Sequence, residues 1–155
     1  MRIIIYILLF CINNIAFADT LNEKIKPLHI SLINDKITCE GKNCFRLIVW
    51  KKMRSGSITH EATYIASPGK EKHQTVIGSF KVTKMLPKYT SKKYRTYMGD
   101  SIFFYGGYAI HGADIVTGAR ESHGCIRLSW KNAKDLYNLV KLVGPENTSI
   151  EVVAN

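Results

Sequence analysis

Short segments in which apolar and polar residues alternate, or in which apolar residues run together, make up most of the chain. Residues that favour turns separate them, and this pattern is typical of β-strands. Gly106 and Gly107 lie between two such segments and predict a hairpin. The pattern therefore predicts a mostly β fold, with strands at residues 28–33, 45–50, 62–66, 75–82, 103–105, 108–110 and 149–153.

One segment has helical spacing instead. Ser129 is a suitable N-cap, and Gly144-Pro145 would stop the helix. The helix is predicted from the apolar positions Ala133, Leu136, Leu139, Val140 and Val143.

Residues 84–98 are rich in Lys, Tyr and Thr, and we predict a long loop there, of a length that is often functional or mobile.

The first residues are typical of an export signal. A basic residue precedes an apolar run at residues 3–10, and Ala16-Phe17-Ala18 fits a cleavage site. We predict a signal peptide at residues 1–18 and a single exported domain at residues 19–155. The alternative is a membrane anchor, but Asn13-Asn14 interrupts the run before the roughly 20 apolar residues of a spanning helix. We expect no stable membrane span after cleavage.

The charge balance is basic, at +10 for the chain. Without residues 1–18 it is 21 bases minus 12 acids, or +9. Such a balance suits polyanionic partners, either nucleic acid or, for an exported protein, a polyanionic cell wall. The lysines are scattered and no helix concentrates them, and export disfavours nucleic acid, so we expect no nucleic-acid partner.

Three cysteines remain after the predicted cleavage. Cys39 and Cys44 flank a turn-like segment and are candidates for a disulfide in an oxidising compartment, provided that their geometry permits it. Cys125 is then left without a partner, which makes it a candidate reactive thiol. The pair at 39 and 44 lacks the second ligand pair of a zinc site, and we expect no metal and no cofactor.

A nucleophilic cysteine needs a base and donors for the oxyanion. Gly124 lets the backbone of the Ser122-His123-Gly124-Cys125 segment turn tightly, so that the amides of His123, Gly124 and Cys125 become candidate oxyanion donors. Ser122 is predicted to act as a local cap or turn residue.

Two histidines are candidates for the base. His111 ends an apolar strand and is followed by a glycine, and a strand end holds a base at a fixed distance. His123 lies two residues from the thiol and has two open roles, tuning the thiolate or supporting the loop. Arg127 also has two, binding a substrate carboxylate or bracing the loop through an internal ion pair.

These motifs resemble a known family. Ile110-His111-Gly112 followed by residues 122–128, Ser-His-Gly-Cys-Ile-Arg-Leu, closely resembles the L,D-transpeptidase catalytic domain, the YkuD fold. Residues 75–80 are similar to its Thr-Pro-x-Gly-x-Phe strand, with Val76 in place of proline. The resemblance extends from about residue 28 to residue 153. It implies a β-sandwich-like fold with one helix after the catalytic motif and, together with the export signal, a location in the periplasm or cell wall.

The resemblance also implies a reaction. Cys125 would attack the carbonyl on the L-centre of the third residue of a peptidoglycan tetrapeptide stem, and the terminal D-alanine would leave. His111, oriented by a backbone carbonyl, would transfer the protons. An amine would then take the acyl group, and the acceptor could be another stem, a lipoprotein lysine or a D-amino acid. Water as acceptor, giving an L,D-carboxypeptidase or amidase, is the alternative. A non-catalytic basic wall-binding module is a third reading, which the presence of both His111 and Cys125 disfavours.

Overall fold

The structure is a computed structural model that describes residues 27–35, 44–53 and 55–153. The predicted signal peptide at residues 1–18 and the candidate disulfide residue Cys39 lie outside the described residues. Both therefore stay predictions.

Strands dominate the described part of the chain, with a single α-helix, α1 (Trp130–Val143). Two short 3-10 helices lie at Glu71–His73 and Pro145–Asn147. The prediction of a mostly β fold with one helix after the motif is confirmed. The strands are β1 (Leu28–Asn34), β2 (Phe45–Lys52), β3 (Ile58–Ile65), β4 (Gly78–Lys81), β5 (Lys84–Leu86), β6 (Thr90–Ser91), β7 (Thr96–Tyr97), β8 (Ser101–Tyr105), β9 (Tyr108–Gly112), β10 (Ile126–Leu128) and β11 (Thr148–Val152).

The strands form two main sheets and a small hairpin. The five-stranded sheet has the order β3-β2-β1-β11-β4, and the four-stranded sheet has the order β10-β9-β8-β5. Strands β8 and β9 are joined at Gly106-Gly107, as the glycine pair predicts. Strand β10 lies parallel to β9, and β6 pairs with β7 in the hairpin. The β6–β7 pair contributes a part of the wall of the cleft described below.

One hydrophobic core joins the two sheets and the helix. Side chains on β2 and β11 alternate between buried and more exposed positions, which places one face of the five-stranded sheet against this core. Each large apolar side chain that is fully buried stabilises the fold by roughly 1.5–3 kcal/mol. The core holds β9 and β10 in place through Ile110, Ile126, Leu128, Leu136 and Ile150, which are all almost completely buried.

The structure corrects two predicted segments. Residues 84–98 are not one loop, because they contain β5, β6 and β7. These strands have only two or three residues, too few to show a period of two. Strand β3 begins at residue 58 rather than 62. The pattern misses its first four residues because they are all exposed and show no alternation between buried and exposed positions. The helix is as predicted, with Ser129 Oγ accepting a hydrogen bond from the amide of Asn132 at 3.3 Å.

Candidate active site

His111, the candidate base, is buried near the end of β9. The side chain is only 4 % exposed, and Nδ1 lies 2.8 Å from the carbonyl oxygen of Gly112. A carbonyl only accepts, so Nδ1 carries the proton and Nε2 keeps its lone pair. Burial, which is the largest cause, and the charge of Arg127 together lower the pKa of His111 to about 4, although the Gly112 hydrogen bond partly opposes them. The imidazole is therefore neutral at pH 7.

The register of β10 brings Cys125 to the same face as His111. Arg127 pairs with His111 across the parallel strands, and Ile126 pairs with Ile110. Cys125 is two residues before Arg127, and side chains two apart point to the same face of a sheet. His111, Cys125 and Arg127 accordingly line one small cavity of about 170 Å³. The structure thus brings together the two residues that the sequence predicts as nucleophile and base.

The thiol of Cys125 is partly buried against the turn between β8 and β9. Its Sγ lies 3.8 Å from the carbonyl oxygen of Gly107. Burial raises the pKa of the Cys125 thiol, while a backbone hydrogen bond from Ala109 and the charge of Arg127 act in the opposite direction. A thiol with a raised pKa needs a base to become a nucleophile. Cys44 is disulfide-bonded, and Cys125 is the free cysteine in the described part of the chain.

The turn before Cys125 depends on Ser122 and Gly124. Ser122 is 2 % exposed, and its Oγ donates to the carbonyl oxygen of Cys125 at 2.5 Å and accepts from the amide of Gly124 at 2.9 Å. Gly124 has a φ of +117°, and a Cβ there would lie 2.5 Å from Cε1 of Tyr108. The position therefore requires glycine. These bonds give Ser122 the turn role that the sequence predicts.

The same bonds narrow the choice of oxyanion donors. The sequence suggests three consecutive amides, but the amide of Gly124 is already bonded to Ser122 Oγ. The amides of His123 and Cys125 make no hydrogen bond within the described residues. These two N–H groups are the backbone donors that remain available for an anion beside Cys125.

His123 is exposed and lies between two aromatic rings. Its ring stacks on Tyr94 of the β6–β7 hairpin, with centroids 4.7 Å apart, and contacts His73 at 5.1 Å. Desolvation lowers the pKa of His123, and the positive charges around it lower the pKa further. The hairpin and His123 together form a cleft of about 460 Å³ over the thiol, lined by Tyr89, Ser91, Lys92, Lys93, Tyr94, Met98, Gly107, Tyr108, His123 and Cys125.

Trp130 supports His111 from the helix and is a residue that sequence reasoning missed. A Cβ on Gly112 would lie 2.3 Å from Cε3 of Trp130, so the indole packs directly on the peptide that holds the His111 ring. Trp130 Nε1 donates to Asp114 Oδ1 at 2.8 Å, and the ring stacks on Tyr97 of the hairpin. Nothing in the periodicity of the chain distinguishes Trp130, because it is the half-exposed first residue of α1.

Comparison with known proteins places this chain in a family. The family model of the L,D-transpeptidase catalytic domain, YkuD, matches residues 36–152. The chain belongs to this family. No curated protein sequence matches it. In the part of the chain that the structure describes, no cluster of His, Cys, Asp or Glu could hold a metal, and no helix has the length and apolar character needed to span a membrane.

Solved L,D-transpeptidases share the fold. One from Stackebrandtia nassauensis superposes with a TM-score of 0.62 at 19 % identity, over 86 % of this chain and 58 % of that one. One from Mycobacterium smegmatis gives 0.63 at 22 %, over 83 % and 59 %. L,D-transpeptidase 3 from Mycobacterium tuberculosis, in complex with a faropenem-derived adduct, gives 0.62 at 16 %, over 83 % and 61 %. The chain thus spans about three fifths of the length of these proteins.

Arg127 lines the same cavity as His111 and Cys125 in this member of the L,D-transpeptidase family. Its backbone exchanges two hydrogen bonds with Ser67, at 2.9 and 3.0 Å, which fasten β10 to the segment after β3. Among the described residues its guanidinium forms no ion pair within 4.0 Å. The bracing is therefore done by the backbone, and the side-chain charge faces the cavity with His111 and Cys125.

Proposed function

We propose that this chain is a peptidoglycan L,D-transpeptidase in which Cys125 is the nucleophile and His111 the base. The observation that carries the proposal is the meeting of a neutral, buried imidazole and a free thiol in one cavity of about 170 Å³. Membership of the L,D-transpeptidase family supports the substrate class, a peptidoglycan stem peptide ending in D-alanine.

In the acylation step, Nε2 of His111 takes the Sγ proton of Cys125 as sulfur attacks the carbonyl on the L-centre of the third stem residue. A C–S bond forms, and negative charge develops on the carbonyl oxygen. The amides of His123 and Cys125 are the proposed donors to that oxygen, and the charge of Arg127 stabilises it. Collapse breaks the C–N bond, and His111 gives the proton to the departing amine of D-alanine.

In the second step, an acceptor amine attacks the thioester. His111 takes a proton from that amine, the C–S bond breaks, and the sulfur leaves and regains a proton. Proton transfer during attack suits this pair, because the pKa of His111 is lowered and that of Cys125 is raised. A neutral pair at rest also protects the thiol from premature reaction in an oxidising compartment.

The test is acylation and exchange by the purified protein. We expect a tetrapeptide stem to lose D-alanine and gain an added amine, and a carbapenem to leave a covalent adduct on Cys125 that peptide mass spectrometry locates. Cys125→Ala abolishes both. The matched control is Ser149→Ala, which removes a histidine-bonded hydroxyl from the other sheet and leaves both reactions intact. Exchange that persists in Cys125→Ala contradicts the proposal.

The acceptor is decided by the products. With a second stem or a D-amino acid present, an L,D-transpeptidase forms a cross-linked or exchanged product, whereas an L,D-carboxypeptidase or amidase yields only the shortened stem. Our proposal expects the amine product to dominate. A lipoprotein acceptor would appear as a wall-linked protein in a wild-type strain that is lost in a deletion strain.

Export is part of the same proposal. Its support is the sequence of residues 1–18, which precede the family match. Fractionation of cells that express the full chain should place the protein in the periplasm or on the wall, with Asp19 as its first residue. A cytoplasmic, uncleaved product would contradict it.

A further inference from the structure

A second concavity, outside the cleft over Cys125, carries a concentration of positive charge. It measures about 600 Å³, and we call it the basic groove. It meets the cleft at His123, which lines both. Three permanent cations face one carboxylate in the groove, whose lining is Lys70, Glu71, Lys72, His73, Ala119, Arg120 and His123.

The cations of the groove sit on backbone that is tied to the catalytic turn. The amide of Lys70 donates to the carbonyl oxygen of Ser122 at 3.0 Å. Arg120 donates from Nη1 to the carbonyl oxygen of Gly69 at 3.1 Å, and its guanidinium lies 4.8 Å from the ring centroid of Phe45. These contacts fix the groove relative to residues 122–125, so that a ligand held there has a defined position beside the thiol.

The charges of the groove are not neutralised internally. Within the described residues, Lys70, Lys72 and Arg120 take part in no ion pair. Their field extends to the boundary with the cleft, because Lys70 is among the charges that lower the pKa of His123. A group of the opposite sign is therefore attracted to this boundary.

We propose that the basic groove binds the carboxylate of the acyl acceptor, an amino acid or peptide that carries a free carboxylate near its attacking amine. This inference rests on the proposed function. The acylated donor occupies the cleft, because its carbonyl carbon is bonded to Cys125 there. The acceptor enters afterwards. The basic groove adjoins the cleft at His123 but is not lined by Cys125, so the acylated donor leaves it open to the acceptor. Holding the carboxylate in the groove would orient the amine toward the thioester.

The test compares two acceptors that differ in whether they carry a carboxylate. D-Methionine and D-methioninamide have the same side chain and an α-amine, and each gives an exchange product distinct in mass from the D-alanine stem. They are compared at equal concentrations of the unprotonated amine, because the amine of the amide is less basic. We expect the unchanged protein to prefer D-methionine. The double variant Lys70→Glu/Lys72→Glu should raise the KM for D-methionine by roughly tenfold, as expected for the loss of charge-assisted contacts, and should leave the reaction with D-methioninamide unchanged.

The matched control is Lys52→Glu/Lys141→Glu, which makes the same charge change at two exposed lysines that line neither concavity. It should keep the preference for D-methionine. Equal use of the two acceptors by the unchanged protein overturns the proposal. So does a parallel loss of both acceptors in the groove variant, because that reports a general defect rather than a lost carboxylate contact.

Two further measurements separate this inference from the proposed function. Carbapenem acylation of Cys125 needs no acceptor, so failure there in the unchanged protein refutes the proposed function. Binding needs no chemistry, so in Cys125→Ala we follow the His123 ring by NMR during titration with each probe. D-Methionine should shift the His123 signals and raise the pKa of His123, and D-methioninamide should not. Identical responses to both probes overturn the groove proposal whatever the activity.

Discussion

Each of the two sheets carries a histidine beside a hydroxyl or thiol, and the two arrangements differ instructively. In the five-stranded sheet, Nδ1 of His29 lies 2.8 Å from Ser149 Oγ, and Nε2 lies 3.2 Å from Glu151 Oε2. These are the residue types of a serine-hydrolase triad. Yet β1 is hydrogen-bonded on both sides, to β2 and to β11. The backbone around His29 is engaged in the sheet rather than available to an oxyanion.

The four-stranded sheet differs in backbone and in burial. Cys125 follows a turn in which Gly124 has a positive φ. This turn precedes β10, so the amides of His123 and Cys125 take no part in the hydrogen bonding of the sheet. His111 is 4 % exposed, whereas the side chains of His29 and Glu151 are 42 % and 43 % exposed. The comparison teaches that a site needs free backbone donors and a desolvated base, and that neighbouring side chains of the right types form only a polar contact without them.

The largest expected difference between the two sheets is in their histidines. His111→Gln keeps a donor for the Gly112 carbonyl but removes the base, and we expect carbapenem acylation of Cys125 to slow by roughly 10²–10⁴-fold. The matched His29→Gln should acylate at the rate of the unchanged protein. Stopped-flow absorbance or intact-mass kinetics measures both. Similar rates for the two variants would remove His111 from the mechanism.

Gly124→Ala tests whether free backbone donors distinguish the Cys125 site from the His29 cluster. The new Cβ would lie 2.5 Å from the Tyr108 ring at a φ of +117°, so the turn must shift and the two free amides with it. We expect acylation to fall by roughly 10²-fold, the usual effect of losing an oxyanion donor. Gly106→Ala is the control, since Gly106 also has a positive φ but no neighbour within 4 Å of the added Cβ. Equal losses would mean that backbone strain, and not the oxyanion donors, explains the effect.

The pH dependence of the acylation rate tests whether burial of the histidine distinguishes the Cys125 site from the His29 cluster. The pKa of His111 is lowered to about 4, so its neutral, basic form persists well below pH 6.5 and is lost as the pH falls through 4. We expect acylation rates to decline below about pH 4, by roughly tenfold per pH unit. Arg127→Gln removes a charge that lowers this pKa, and its decline should begin at higher pH. A decline centred near 6.5 in the unchanged protein would show that His111 is not desolvated during the reaction.

The parts of this site that the sequence predicts are those carried by short, contiguous signals. The hydrophobic run of β9 ending at His111, the Ser122–Cys125 turn and the capped helix after Ser129 each depend on neighbours along the chain. The left-handed Gly124 and the turn role of Ser122 follow from the same local pattern. For this reason the candidate nucleophile, the candidate base and the order of the longer strands and the helix could be predicted from the sequence alone.

The remaining features depend on packing between distant segments. The Gly124 amide is taken by Ser122 Oγ, a choice that only three-dimensional geometry decides. The ring of Tyr94 covers His123 because the β6–β7 hairpin folds over the cleft, and strands of two residues leave no periodic signal. The basic groove joins residues near 70 to residues near 120, so its charges appear scattered in the sequence.

The smallest expected effect comes from Trp130, which acts on the base from outside the cavity. In Trp130→Leu the indole no longer covers Gly112 or stacks on Tyr97, so water gains access to the peptide that holds His111. We expect the acylation rate at pH 7 to fall by roughly threefold to tenfold through a less precisely held base. Because better hydration moves the pKa of His111 back toward its ordinary value, the acid decline should also begin at higher pH.

Leu142→Ala is the control for the helix, because Leu142 is 83 % exposed and faces away from the core. It should change neither the rate nor the pH profile. A purely structural role for Trp130 would lower the melting temperature and the amount of active protein but leave the pH at which the rate declines where it was. The pH profile therefore decides whether the tryptophan positions and shields the base or merely stabilises the fold, and it extends the contrast with His29, whose exposed ring has no such cover.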